Sequence, residues 1–424
     1  MIQVLKGNFV SAPGLGELDV VEQGFLVLED GVVCGIFDQL PEQYAAVPVT
    51  DYGDQLVLQS FADMHLHGPQ YPMLGMGMDL PLLDWLNTYA FPTESRFSDP
   101  EYAREVYRRL AADLIANGTT RVCMFSSLHT EATWALMEEL ERAGVTGYVG
   151  KVNMDRNGAP GLLQETTEES VCETIRWLEG CTFAYVKPIL TPRFTPSCSD
   201  ELMERLGRIA AERGLYVQSH LSESLQEMEW VRRLHPDCGQ YWETYDKYGL
   251  WKDHTVMAHC VHSDKTERDA MRRAGVVAVH CPDSNVNISS GICPVRQMLD
   301  EGVWVTLGSD IAGGDQLPMY RVITSAIRTS KARNIMDNWM TDPLTVEEAY
   351  YLGTSAGHRY FNAREGFAPG NKLHAVVVDD GSFPNSGDPL SLSQRFQRAI
   401  YLMDSRNITA VWSEGRCVFK KSKN

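Results

Sequence analysis

The chain has 424 residues, 44% of them hydrophobic, enough for a large core and either two or three average domains or one barrel with a small satellite. Acidic side chains outnumber basic ones by 56 to 38, and the formal charge of −18 repels phosphate backbones and anionic lipid surfaces, so nucleic acid and membrane are excluded as expected partners. A neutral small molecule or a cation fits that charge.

The amino terminus, "MIQVLKGNFVSAPG", lacks the apolar core and cleavage site of a secretory signal, and no run approaches 18 apolar residues. Ten cysteines are scattered without any Cys-x-x-Cys spacing, the pattern of reduced thiols, and the sequence therefore predicts a soluble cytoplasmic protein. Residues 1–53 read as short alternating strands, with "FLVLEDGVVCGIF" a hairpin turning at Asp30-Gly31, a dipeptide suited to a type I′ turn. From Leu56 the texture changes to apolar runs alternating with helix-period segments. Eight runs are legible: "LVLQSFAD", "TRVCMF", "GYVGKV", "FAYVKPIL", "LYVQSH", "TVMAH", "VVAVHC" and "VWVTLGSD". Asp99-Pro100 opens one helix that Gly118 closes, and another runs from a capping Ser263 to Gly275. Loops such as "PQYPMLGMGM" and "DRNGAPGLLQ" are long enough to cover a site. Near the end, "HAVVVDD" and "ITAVWSEGRCVF", the latter turning at Glu414-Gly415, return to strand and hairpin patterns without long helices. The predicted fold is α/β: a (β/α)8 TIM-type barrel over 56–367, with a small β-sandwich domain built from 1–55 and 368–424.

In "FADMHLHGP" the histidines at 65 and 67 stand two apart, so in an extended strand both rings share one face, with backbones about 6.5 to 7 Å apart. Arg193 follows the fourth run, His220 ends the fifth, His259 ends the sixth and Asp310 follows the eighth. All lie at carboxyl ends, the face of a barrel where catalytic groups converge. Imidazole and carboxylate donors without neighbouring thiolates favour Zn²⁺ and also admit Fe²⁺, with an open position for water. Such an ion lowers the pKa of bound water towards about 7. Glu223, three residues after His220, is a candidate proton shuttle beside it.

The segments "DMHLHGPQY", "DLPLLDWLNTYAFPTE", "GKVNMD", "ETTEES", "VKPILTPRF", "QSHLSE", "MAHC", "HCPDSN" and "GSDIAGG" span most of the chain. In order and spacing they resemble the amidohydrolase superfamily and, within it, the barrel-type guanine deaminases. The resemblance implies one zinc ion per chain on His65, His67, His220 and Asp310, with His259 beside the metal water and Glu223 as proton-transfer acid. It implies purine contacts from Gln70, Arg193 and Phe194, with His220, Glu223 and Asp310 also facing the substrate. The activity implied is hydrolytic deamination of guanine to xanthine and ammonia, in a homodimer. Asp310 would take a proton from the zinc-bound water, hydroxide would add at C2, and Glu223 would protonate the ring nitrogen and the departing amine. Arg193 would donate to the carbonyl at C6, Phe194 would pack on the base, and Gln70 offers both a donor and an acceptor. Alternatives are another aminated purine, pyrimidine or triazine, or a catalytically silent relative with a binding role.

Two positions depart from that pattern: Asp283 where relatives usually carry Asn, which could alter charge near the pocket, and His374 where Asp is common, a matter of packing or a turn. His280, His262, His129 and His358 are expected in structural hydrogen bonds. Lys187 could be a carboxylated bridge between two ions, although the pairing of His220 with Glu223 resembles the mononuclear deaminase branch. The His-x-Glu and Pro-Cys-x-x-Cys signature of deaminases that flip bases is absent. "GTSAG" at 353–357 matches a serine-nucleophile expression but follows a helical segment, so Ser355 is expected at a helix terminus.

Overall fold

The computed structural model describes residues 1–158, 163–384 and 387–421. Positions 159–162 of the predicted covering loop 155–164 lie outside the described residues. In chain order the strands are β1 (Ile2–Ser11), β2 (Asp19–Glu29), β3 (Val32–Phe37), β4 (Val49–Gln59), β5 (Phe61–His67), β6 (Thr119–Phe125), β7 (Thr146–Gly150), β8 (Val152–Asn153) and β9 (Val186–Pro188). They continue with β10 (Thr191–Pro192), β11 (Gln218–Leu221), β12 (Val256–His259), β13 (Val277–His280), β14 (Trp304–Leu307), β15 (Ala375–Val378), β16 (Ile408–Ser413) and β17 (Arg416–Lys420).

Both chain ends meet in one seven-stranded sheet of order β17-β16-β15-β4-β1-β2-β3. The expected sandwich is thus corrected to a single sheet, and strand alternation gives the reason. Leu5, Phe9, Leu26, Val57, Val377 and Trp412 point to one face and share a small core. Val10, Leu56, Leu58, Val376, Val378 and Val411 point to the other and enter the main core, so the second layer is the α/β body rather than another sheet. The two hairpins turn as predicted, with φ positive at Asp30 and Gly31 and at Glu414 and Gly415. A further correction concerns the carboxyl-terminal region, which holds a helix at Leu392–Leu402. Its buried stripe, Leu392, Phe396, Ala399 and Ile400, has helical spacing, and Ser391 with Gln394 forms a capping box.

The body consists of two four-stranded parallel sheets, β5-β6-β7-β9 and β11-β12-β13-β14, and a short parallel pair of β8 with β10. Main-chain bonds tie the sheets on both sides: Leu190 N–H to Tyr216 O at 3.0 Å, and Asp310 N–H to His65 O at 2.8 Å. The predicted run beginning at Leu56 divides at Ser60, its first half completing β4 in the terminal sheet and its second half opening β5. Helices fill the connections. Asp99 caps the helix Pro100–Ala116 by accepting from the N–H groups of Glu101 and Tyr102. The helix Lys265–Ala274 is capped by Asp264 rather than the predicted Ser263, whose hydroxyl donates instead to Glu267 at 2.5 Å. Among the described residues no helix is long and apolar enough to cross a membrane.

Candidate active site

Strand β5 is buried along its whole length, and its alternation delivers both His65 and His67 to the same end of the body. There they meet His220 from β11, His259 from β12 and Asp310, which follows β14. His65 Nε2 lies 3.2 Å and His67 Nε2 3.5 Å from Asp310 Oδ1, and the Nε2 atoms of His67 and His220 are 3.1 Å apart. His259 Nε2 stands 3.5 Å from Glu223 Oε2 and 3.8 Å from Asp310 Oδ2. The backbone bends sharply where these groups are presented: φ is 49° at Ser222, 74° at His259 and 45° at Asp310. Non-glycine residues in this left-handed region cost about 1–3 kcal/mol each and concentrate at working sites.

Neighbours fix the rings. His220 Nδ1 faces Arg193 O at 2.5 Å and His259 Nδ1 faces Asn285 Oδ1 at 2.9 Å, so both turn Nε2 inward. Burial, reinforced by the neighbouring imidazoles, holds His67 and His220 well below the usual histidine range; burial also lowers His65. Neutral imidazole is the form that binds a metal. Burial opposes ionisation of Asp310, yet the adjacent His65 and His259 rings and the Ser284 hydroxyl outweigh it and hold the carboxyl at about 2. Glu223 goes the other way: burial first, then the charges of Glu227 and Asp310, push it well above the carboxylate range, against one bond of 3.2 Å from the Ser290 hydroxyl. Burial and neighbouring groups thus push two carboxyl groups of one pocket in opposite directions, the pattern of a proton acceptor beside a proton donor.

The donor set fits a metal. Ligand atoms of His65, His220 and His259, and of His65, His67 and Asp310, each lie within 4.8 Å of one another, all buried. His65 Nε2 is buried with no hydrogen-bond partner, an orphan that an ion would satisfy. Beside the cluster opens a cavity lined on its polar side by Gln70, Arg193, Glu223 and Asp310 and walled by Leu82, Trp85, Leu86, Phe194 and Ile288.

His67, Gln70, Arg193, Phe194, His220, Glu223, His259 and Asp310 line this cavity and His65 stands 3.2 Å from Asp310, but Arg193 and Gln70 have unexpected partners. Arg193 makes a two-pronged bond to Glu94, at 2.6 and 3.0 Å. Gln70 donates to the same carboxylate at 2.8 Å and accepts from Ala312 N–H at 3.0 Å, so its amide has a fixed sense rather than a free choice of donor and acceptor. Glu94, Ser284, Asn285 and Ser290 were missed. Ser284 and Asn285 sit inside the quoted "HCPDSN", where their place just after a strand was the available signal. Asp283, from the same segment, turns away and accepts from Ser325 Oγ at 2.5 Å, so its charge is not among the cavity groups. His374 bridges Thr120 and Glu414 at 2.8 and 3.0 Å, the packing role expected. His262 faces Ser290 O at 2.9 Å and His358 bonds the Ser60 backbone, both as expected, whereas Nδ1 of His280 and Nε2 of His129 are buried without hydrogen-bond partners. Lys187 is exposed and donates to Phe183 O at 2.9 Å, remote from any bridging role. Ser355 begins a short helix and is buried against Ala12 O at 2.7 Å.

Residues 56–418 match the amidohydrolase family. The chain belongs to that family. Among its relatives, guanine deaminase from Dictyostelium discoideum is 34% identical over 98% of each chain, and guanine deaminase from Rattus norvegicus is 37% identical over 86% of this chain and 83% of its own. The crystal structure of guanine deaminase from C. acetobutylicum with guanine bound in its active site superposes with a TM-score of 0.96 at 39% identity, covering 99% of this chain and all of that one.

Proposed function

We propose that this chain is an enzyme that hydrolyses guanine to xanthine and ammonia, with one zinc ion held by His65, His67, His220 and Asp310. The observation that carries it is the convergence of a buried imidazole and carboxylate cluster, the buried Glu223 carboxyl beside His259 and a cavity bearing Arg193. The similar proteins named above support guanine as the substrate. When bound, the ion, Zn²⁺ or alternatively Fe²⁺, would supply Lewis acidity that lowers the pKa of a water towards about 7.

The protein's own groups do the rest. Asp310, ionised and steadied by Ser284, takes one proton as water adds at C2 of the base. His259, aimed by Asn285, holds its Nε2 beside both carboxyl groups. Glu223 gives its proton to a ring nitrogen, takes up the one Asp310 received and passes it to the departing amine, and the proton shed by the added hydroxyl as C2 becomes a carbonyl restores Glu223. The amino group leaves as ammonia and C2 becomes a carbonyl, which balances guanine and water against xanthine and ammonia. Leu82, Trp85, Leu86 and Ile288 exclude bulk water, Phe194 packs on the base, and Arg193 and Gln70 direct N–H groups at its polar edge.

We further propose that the two parallel sheets are halves of one (β/α)8 barrel over 56–367, joined by the main-chain bonds at Leu190 and Asp310. Residues 1–55 and 368–424 form the terminal unit, with 56–59 completing its sheet. A cytoplasmic homodimer belongs to the same proposal; all ten cysteines being free suits a reducing compartment. The test is ammonia release by the zinc-loaded protein from guanine, adenine, cytosine and an aminotriazine. Guanine should lead the series with xanthine as product. A fully loaded protein that leaves guanine intact would overturn the assignment.

A further inference from the structure

Glu94 is a carboxylate with 1% of its surface exposed, on the short helix Phe91–Ser95. It is not among the groups that line the cavity, yet both of its oxygens are spent on residues that do. Oε2 accepts from Arg193 Nη1 at 2.6 Å; Oε1 accepts from Arg193 Nη2 at 3.0 Å and from Gln70 Nε2 at 2.8 Å. The guanidinium is further confined by the Phe91 ring, whose centroid lies 5.1 Å from Cζ. We propose that Glu94 is a positioning residue that sets the enzyme's preference for 6-oxopurines over 6-aminopurines, a role that rests on the guanine reading above.

The argument is one of donor bookkeeping and charge. A guanidinium carries five N–H groups and no acceptor. Two are taken by Glu94, and the bidentate geometry fixes the plane in which the others face the cavity. Gln70 is oriented from both ends, since Nε2 must point at Glu94 while Oε1 is engaged by Ala312 N–H. Its remaining N–H is what it has to offer a ligand. Arg193 and Gln70 therefore present donors to the base. With C2 turned towards the His65 and Asp310 cluster, a carbonyl oxygen at C6 completes such contacts, whereas an exocyclic amine there sets N–H against N–H. A site built to bond an acceptor discriminates strongly against a ligand that lacks one, because its own buried donors are left unpaired. The carboxylate also neutralises a buried cation beside a metal cluster, which lets the pocket take up an uncharged base.

Replacing Glu94 by its neutral isostere weakens both effects: Arg193 loses one prong and its counter-charge, and the Gln70 amide loses its carboxylate acceptor and is oriented by Ala312 N–H alone. The experiment compares kcat/KM, by ammonia release, for guanine and 2,6-diaminopurine, which keeps the 2-amino group and replaces the 6-oxo group by an amine. In E94Q with full metal content the ratio should fall at least tenfold from wild type, a change that a general loss of stability would not produce because it affects both substrates alike. A smaller fall, or equal losses on both, overturns the role. If E94Q does not fold, a crystal structure of the wild-type zinc enzyme with guanine decides: Glu94 bonded to both Arg193 and Gln70 supports it, and Arg193 parted from Glu94 overturns it. An inert wild type sinks the guanine assignment and this inference together, while an active wild type with an unchanged E94Q ratio sinks this inference alone.

Discussion

At the scale of single residues, the site separates groups that hold a proton from groups that hold a geometry. Glu223 is of the first kind. Glu223→Gln keeps the volume and the Ser290 contact but has no acid proton to give, so kcat should fall by about 10²–10⁴. Zinc content, measured on the same sample, should stay near one per chain; a variant of near-normal turnover would remove the acid role. Ser284 is of the second kind, bonded to Asp310 Oδ2. Ser284→Ala leaves that oxygen without its donor, and metal affinity or activity should drop about 10–100-fold, read by competition with a chelator. The chain revealed these groups unequally. His65 and His67 were legible because a two-residue spacing in a strand has one geometric meaning. Glu94 was not, because its partner Arg193 lies 99 residues away and a carboxylate in a helical segment looks like any solvated one.

Elements were most legible where punctuation was strong. The helix Pro100–Ala116 begins with Asp-Pro and the sequence placed its cap correctly, since a short acidic side chain before proline has few better uses. Asp99→Ala should destabilise the protein by about 0.5–2 kcal/mol, seen as a lower denaturant midpoint with an unchanged slope. An unaltered midpoint would mean that tertiary packing alone holds that first turn. The helix Leu392–Leu402 escaped notice because hairpin patterns on both sides suggested continuous β structure, although its apolar stripe was present. The division of the run at Leu56 was hidden for a different reason: a change of sheet across one residue leaves no long polar break, only the buried Ser60 between Gln59 and Phe61.

For the molecule as a whole, buried carboxyl groups tie stability to pH. Glu267 is enclosed by Ser222 and Ser263, at 3.1 and 2.5 Å, and burial raises it from 4.5 to about 7. The folded state then binds more protons than the unfolded one between those values, so this group favours folding fully below about pH 4.5, progressively less up to about 7, and not at all beyond. Glu267→Gln should flatten that slope, by as much as about 3 kcal/mol across the window, in denaturant titrations at pH 5 and 7.5. Parallel slopes for variant and wild type would refute the burial argument. The terminal sheet carries a different kind of consequence. β4 lies at its middle, between β1 and β15, and β15 is made some 300 residues later along the chain. During synthesis one side of β4 therefore stays an unpaired edge until residues 375–378 emerge, a ready template for pairing with another chain that the finished sheet no longer offers.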